Sequence, residues 1–114
     1  MQIQVNTDNN VEGSVQLVNH VRNVVESALS RFSDRITRVE LHLGDENGGK
    51  SGQADKRCMM EARLEGRQPS AVTHHAATVD EAIEGAADKL VSLVDSTLGR
   101  LRDQNDHRSA SGTV

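Results

Sequence analysis

The chain is 114 residues long, the size of one domain with a modest core. Hydrophobic residues make up 35% and charged residues 26%, with Phe32 the sole aromatic and one Pro; the core must be aliphatic, and collagen-like, mucin-like and proline-rich classes are excluded. With 13 Lys and Arg against 17 Asp and Glu, a net charge of −4, the chain is not a generally basic one, and any surface for nucleic acid has to be local.

The single cysteine, Cys58, excludes a disulfide framework within the chain and a multi-cysteine zinc site, and fits a reducing compartment. The N-terminal MQIQVNTDNN has no charged leader and no apolar stretch, and no apolar run approaches the ~20 residues of a membrane span. The expectation is a soluble cytoplasmic protein without membrane contact.

Gln2 to Asn6 alternates around Ile3 and Val5, which predicts a short half-buried strand. Ser14 is placed to cap a helix whose apolar residues Leu17, Val18, Val21, Val24, Val25, Ala28, Leu29 and Phe32 form one stripe. Its valines have poor helix propensity, so this helix depends on packing. Ile36 to Leu43 alternates again, with Val39, Leu41 and Leu43 facing in and Arg38, Glu40 and His42 facing out. Gly44 to Asp55 (GDENGGKSGQAD) reads as a glycine-rich loop. A third strand covers Arg57 to Glu65, with Cys58, Met60, Ala62 and Leu64 inward, and Gly66 to Pro69 is a turn into a weaker strand from Ser70 to Ala77. Thr78 and Glu81 form a capping box for a second helix with Ala82, Ile83, Ala86, Leu90, Val94 and Leu101 along its apolar face. The chain divides into one domain, residues 1–102, and a polar tail, 103–114, expected to be disordered.

The order is β-α-β-β-β-α. Strands with one apolar face and helices with one apolar stripe predict an α+β two-layer sandwich: a four-stranded mixed sheet with both helices on one face. A helical crossover makes the first two strands parallel, and short connections make the other pairs antiparallel.

Gly44 to Ser51 satisfies the G-x-x-x-x-G-K-[ST] phosphate-loop pattern. Such a loop needs a following helix N-terminus to converge on phosphate, whereas Ser51 leads toward a strand, and Asp45 and Glu46 would repel the anion. Nucleotide chemistry is therefore not expected. His74 and His75 are adjacent in a strand and point to opposite faces, and His42 and Cys58 lie on different faces, so neither a metal site nor a Cys-His catalytic pair is expected. Asp80 with Glu81, and Glu84 with Asp88, read as solvated helix faces. Between Arg35 and Ala76 seven bases (Arg35, Arg38, Lys50, Lys56, Arg57, Arg63, Arg67) meet six acids (Glu40, Asp45, Glu46, Asp55, Glu61, Glu65), so the excess acidity lies in the flanks.

The run Leu29-Ser-Arg31-Phe-Ser-Asp34-Arg35-Ile36-Thr37-Arg-Val39-Glu-Leu41 resembles the short ribosome hibernation-promoting factor and ribosome-associated inhibitor A family, as does Asp80-Glu-Ala82-Ile83-Glu-Gly-Ala86-Ala-Asp88-Lys89-Leu90. The resemblance spans about residues 1 to 102. It implies a bacterial, non-enzymatic stress-response regulator of translation that needs no cofactor. Such a protein binds small-subunit ribosomal RNA in the channel used by messenger and transfer RNA, and so silences idle ribosomes. On this chain the resemblance carries RNA binding to Arg31, Arg35, Lys89 and Arg100. Arg22, Lys56, Arg57 and Arg102 are added on charge and expected exposure. The second helix departs from the family's basic pattern at Ser92, Asp95 and Ser96, and the first at Glu26 and Ala28. The loop from Gly44 is longer than usual, and the dimerisation domain of long members is not expected. The alternative is an acidic paralogue that keeps the fold but binds a protein through a helix face or sheet edge, the sheet edge being open also to a second copy of the chain.

Overall fold

The computed structural model describes residues 1–8, 11–46 and 55–112, with side chains as far as residue 100. The elements follow in the expected order: β1 (Gln2–Thr7), α1 (Val15–Leu29) continued by a 3-10 turn (Ser30–Phe32), β2 (Ile36–Asp45), β3 (Lys56–Leu64), β4 (Ser70–Ala76) and α2 (Val79–Gly112). The sheet runs β1-β2-β3-β4. β1 and β2 are parallel, and the other two pairs are antiparallel.

Both helices start where their caps require. The Ser14 hydroxyl accepts from the Leu17 amide at 3.1 Å, and Thr78 Oγ1 accepts from the Glu81 amide at 3.1 Å, each satisfying an amide that the first turn leaves free. α2 continues as helix to Gly112, into the stretch read above as a polar tail; side chains past residue 100, Leu101 among them, and residues 113–114 lie outside the described part. β2 is longer than its alternation suggested. Gly44 and Asp45 pair with Arg57 and Lys56, so the first two residues of the expected loop belong to the strand. Residues 47–54 of that loop lie outside the described residues.

The core is one aliphatic cluster. α1 contributes Val21, Val25 and Leu29; β2 contributes Ile36, Val39, Leu41 and Leu43; β3 contributes Cys58, Met60, Ala62 and Leu64; α2 contributes Ala82, Ile83, Ala86, Ala87, Leu90 and Val94. Ile36 and Val39 are both buried although three residues apart, which strict alternation forbids. A bulge resolves this: Ile36 pairs with Leu64 and Arg38 with Arg63, so the extra residue Thr37 returns Ile36 to the inner face. The Thr37 hydroxyl donates to the Arg63 carbonyl at 3.2 Å.

The alanines of α2 bring it close to β3 and β4. At Gly85 even a methyl group has no room, because a Cβ would overlap the half-buried ring of His74 on β4. At Gly99, on the same helix, nothing lies within 4 Å of such an atom. The two glycines should therefore respond oppositely to alanine. Gly99→Ala gains up to about 1 kcal/mol from helix propensity, whereas Gly85→Ala displaces His74 and lowers stability, as denaturant midpoints and the His74 ring resonances will register.

Candidate nucleic-acid interface

Strand and helix directions decide which charged side chains meet. α1 and α2 both run opposite to β2, so they are parallel to each other. Two side-chain contacts link them in that sense: His20 Nε2 lies 3.5 Å from Asp80 Oδ1 near their starts, and Arg31 Nη2 forms an ion pair with Asp95 Oδ1 at 3.4 Å further along. The end of α1, the start of β2 and the turn from β3 to β4 therefore share one end of the molecule. The Glu65 amide donates to the Arg35 carbonyl at 2.9 Å, and the Arg67 amide donates to that of Leu64 at 3.1 Å. This topology gathers Arg31, Arg35 and Arg67 at one end, with Arg100 beyond Asp95 on α2; all four are exposed.

The Arg31 guanidinium lies 4.6 Å from the Phe32 ring centroid, an attractive cation–π geometry. Its bridge to Asp95 joins side chains that are 63% and 57% exposed, a situation in which an ion pair is worth about 0–1 kcal/mol and is readily exchanged for another anion. Among the described residues, Arg35, Arg67 and Arg100 make no side-chain hydrogen bond or ion pair. Sequence reasoning did not single out Arg67. Its only signal was the return of the β3–β4 turn to the start of β2, which is a property of pairing and not of local charge.

The other expected bases are distributed elsewhere. Lys89 is exposed on α2, and its Nζ donates to the Thr73 carbonyl of edge strand β4 at 3.0 Å. Arg22 lies at the opposite edge, lining a groove with Met1, Gln2, Ile3, Gln4, Glu26 and Arg38. Lys56 and Arg57 begin β3, at the far end from Arg31 and Arg35. Lys56 Nζ is held 3.1 Å from Asp55 Oδ1 and 3.3 Å from Asp45 Oδ2, on carboxylates only 5% exposed. The bond to Asp55, assisted by Asp45, raises the Lys56 pKa above its ordinary 10.5, against a smaller opposing effect of burial. Arg57 Nε is 3.8 Å from Glu46 Oε1, an oxygen that also sits 3.0 Å from His75 Nε2. The Arg102 side chain lies outside the described residues.

Exposed acids accompany these bases on the helix layer: Glu26 on α1, and Asp80, Glu81, Glu84, Asp88 and Asp95 on α2. The layer as a whole is thus not a basic face; the arginines Arg35, Arg67 and Arg100, without a side-chain partner among the described residues, share their end of the molecule with the exposed acids Asp34 and Glu65.

The phosphate-loop pattern enters β3 at Lys56, not a helix. His74 is half-buried under α2 while His75 is exposed on the open face, and Cys58 is buried on the face opposite exposed His42. Burial pushes the Cys58 thiol up to about 12, so at neutral pH it is a packed, protonated side chain. Among the described residues, no three His, Cys, Asp or Glu side chains are grouped to hold a metal ion, and no helix is long and apolar enough to cross a membrane.

Residues 3–102 match the family described as Sigma 54 modulation protein / S30EA ribosomal protein. The chain belongs to this family of ribosome-associated modulation factors. Among solved structures it is similar to the N-terminal domain of Protein Y from Thermus thermophilus, with 20% identity and a TM-score of 0.69 over 85% of this chain and 99% of that one. It is also similar to a ribosomal subunit interface protein from Coxiella burnetii, with 17% identity and a TM-score of 0.67 over 87% of this chain and 99% of that one. At these identities the likeness establishes the α+β fold. No curated protein matches the sequence.

Two outcomes follow from the charged and buried groups described. Replacing Lys56 by Met leaves Asp45 and Asp55 without their shared cation and lowers the melting temperature at neutral pH. Because the folded pKa of Lys56 is raised, its contribution is complete below 10.5 and is lost as pH climbs through the raised value; melting curves of the two proteins should converge there. Cys58 should resist a thiol reagent in the native state and react fully in denaturant, and native reaction at the free-thiol rate would contradict its burial.

Proposed function

We propose that this protein binds small-subunit ribosomal RNA near the channel for messenger and transfer RNA and silences idle ribosomes. Family membership supports the ribosome as target. The observation that carries the RNA reading is the convergence of Arg31, Arg35, Arg67 and Arg100 on one end of the domain, three of them without a side-chain partner among the described residues. Guanidinium groups on rigid elements suit bidentate contact with phosphates and recognise backbone shape without reading sequence. Lys89 adds a contact from the side of α2 by exchanging the Thr73 carbonyl for a phosphate. Arg31 similarly exchanges Asp95, so this carboxylate acts as an internal competitor for the RNA.

The acids Glu84, Asp88 and Asp95 along α2 favour a second reading, a protein partner recognised through the helix layer. Co-sedimentation with purified small subunits over a salt series separates the two. Under the RNA reading binding weakens with salt, and Arg31→Glu with Lys89→Glu lowers both affinity and the slope against log salt, by roughly 0.7–0.9 per lost phosphate contact. Arg35→Glu with Arg67→Glu does the same, and Asp95→Asn strengthens binding. Association indifferent to salt and to all these changes would transfer the reading to a protein partner.

A further inference from the structure

The two edges of the sheet are treated differently. β4 is preceded by Pro69, and its Thr73 carbonyl is covered by Lys89 Nζ; both devices keep a further strand from adding. β1, the other edge, has none of them. Its sequence QIQVNT contains no charge and no proline, and its register with β2 is unbroken from Gln2 to Thr7. The side chains that β1 presents on the uncovered face are the neutral amides Gln2, Gln4 and Asn6.

Beside this edge lies a groove of about 470 Å³ between β1 and α1, walled on the helix side by Arg22 and Glu26. These residues are one helical turn apart and exposed, and neither is in an ion pair with a described residue.

We infer that the β1 edge and the Arg22–Glu26 wall form a self-complementary surface that takes a second copy of this chain. A two-fold axis normal to the sheet beside Gln4 pairs β1 antiparallel with its copy, Gln4 against Gln4 and Gln2 against Asn6. The same axis sets the two α1 helices side by side and antiparallel. Arg22 of one protomer then faces Glu26 of its partner, and Glu26 faces the partner's Arg22. This is the isologous contact that closed symmetry requires. Polar amides meet across the open face, and opposite charges meet across the helix face. On the open face the Arg38 of each protomer, which also lines the groove and donates to Gln4, is paired with its own Glu40. The arginine-bearing end with Arg35, Arg67 and Arg100 is not part of the contact.

Sedimentation velocity from micromolar to millimolar protein tests this, with circular dichroism confirming that each variant is folded. The wild type should form a dimer. Arg22→Glu, which sets four carboxylates against one another, should weaken it by roughly tenfold or more, as should Gln4→Lys through like charges at the axis. Combining Arg22→Glu with Glu26→Arg should restore wild-type association. A wild type that stays monomeric throughout overturns the inference, as does a dimer unchanged by Arg22→Glu and Gln4→Lys, or a charge swap that fails to restore it.

Discussion

Ala82, Ala86 and Ala87 are buried on α2 beside Ile83, Leu90 and Val94, and at Gly85 the His74 ring of β4 occupies the space a side chain would take, so α2 lies close to the sheet there. In a chain with one aromatic, aliphatic side chains such as Leu41, Met60, Ile83 and Leu90 fill the space between the layers. Close approach where α2 carries small residues completes the exclusion of water and retains dispersion contacts. The rest of the arrangement depends on this contact. With α2 seated over β3 and β4, α1 is left the area over β1 and beside α2, and its valines find the packing that their helix propensity cannot replace.

Covering only one face of a mixed sheet with two helices of the same direction sorts the charges along the molecule. The end of α1, the β3–β4 turn and the later part of α2 are brought together with their arginines. The opposite end holds Asp45, Asp55 and Glu46, and there Lys56 and Arg57 are engaged in local pairs. A net charge of −4 is thus compatible with a local cluster of arginines, here interspersed with Asp34, Glu65 and Asp95, because summed charge carries no information about where charge lies.

Much of the fold was legible in the residues. Ser14 and Thr78 announced both helix starts, and the alternation of Cys58, Met60, Ala62 and Leu64 gave the inner face of β3, because capping and periodicity are local. What depends on pairing was not legible. Thr37 has no local mark of a bulge, and Gly44 and Asp45 looked like loop residues because glycine and aspartate disfavour strands until a partner such as Arg57 or Lys56 holds them. The candidate site suffered most from this. Lys56 and Arg35 look alike as exposed bases in a sequence, but one is clamped between two buried carboxylates while the other has no side-chain partner among the described residues.

The bulge at Thr37 also bears on how the sheet avoids misassembly. A β2 displaced by one residue would bury Arg38, Glu40 and His42 and expose Val39, Leu41 and Leu43. The Thr37 hydroxyl on the Arg63 carbonyl marks the correct alignment at the end where β2 begins and β3 finishes. Alignment fixed there does not have to be fixed by the connection between the two strands. The number of residues joining them can then drift through insertion and deletion at a cost that grows only slowly with length, while every inward side chain keeps its partner.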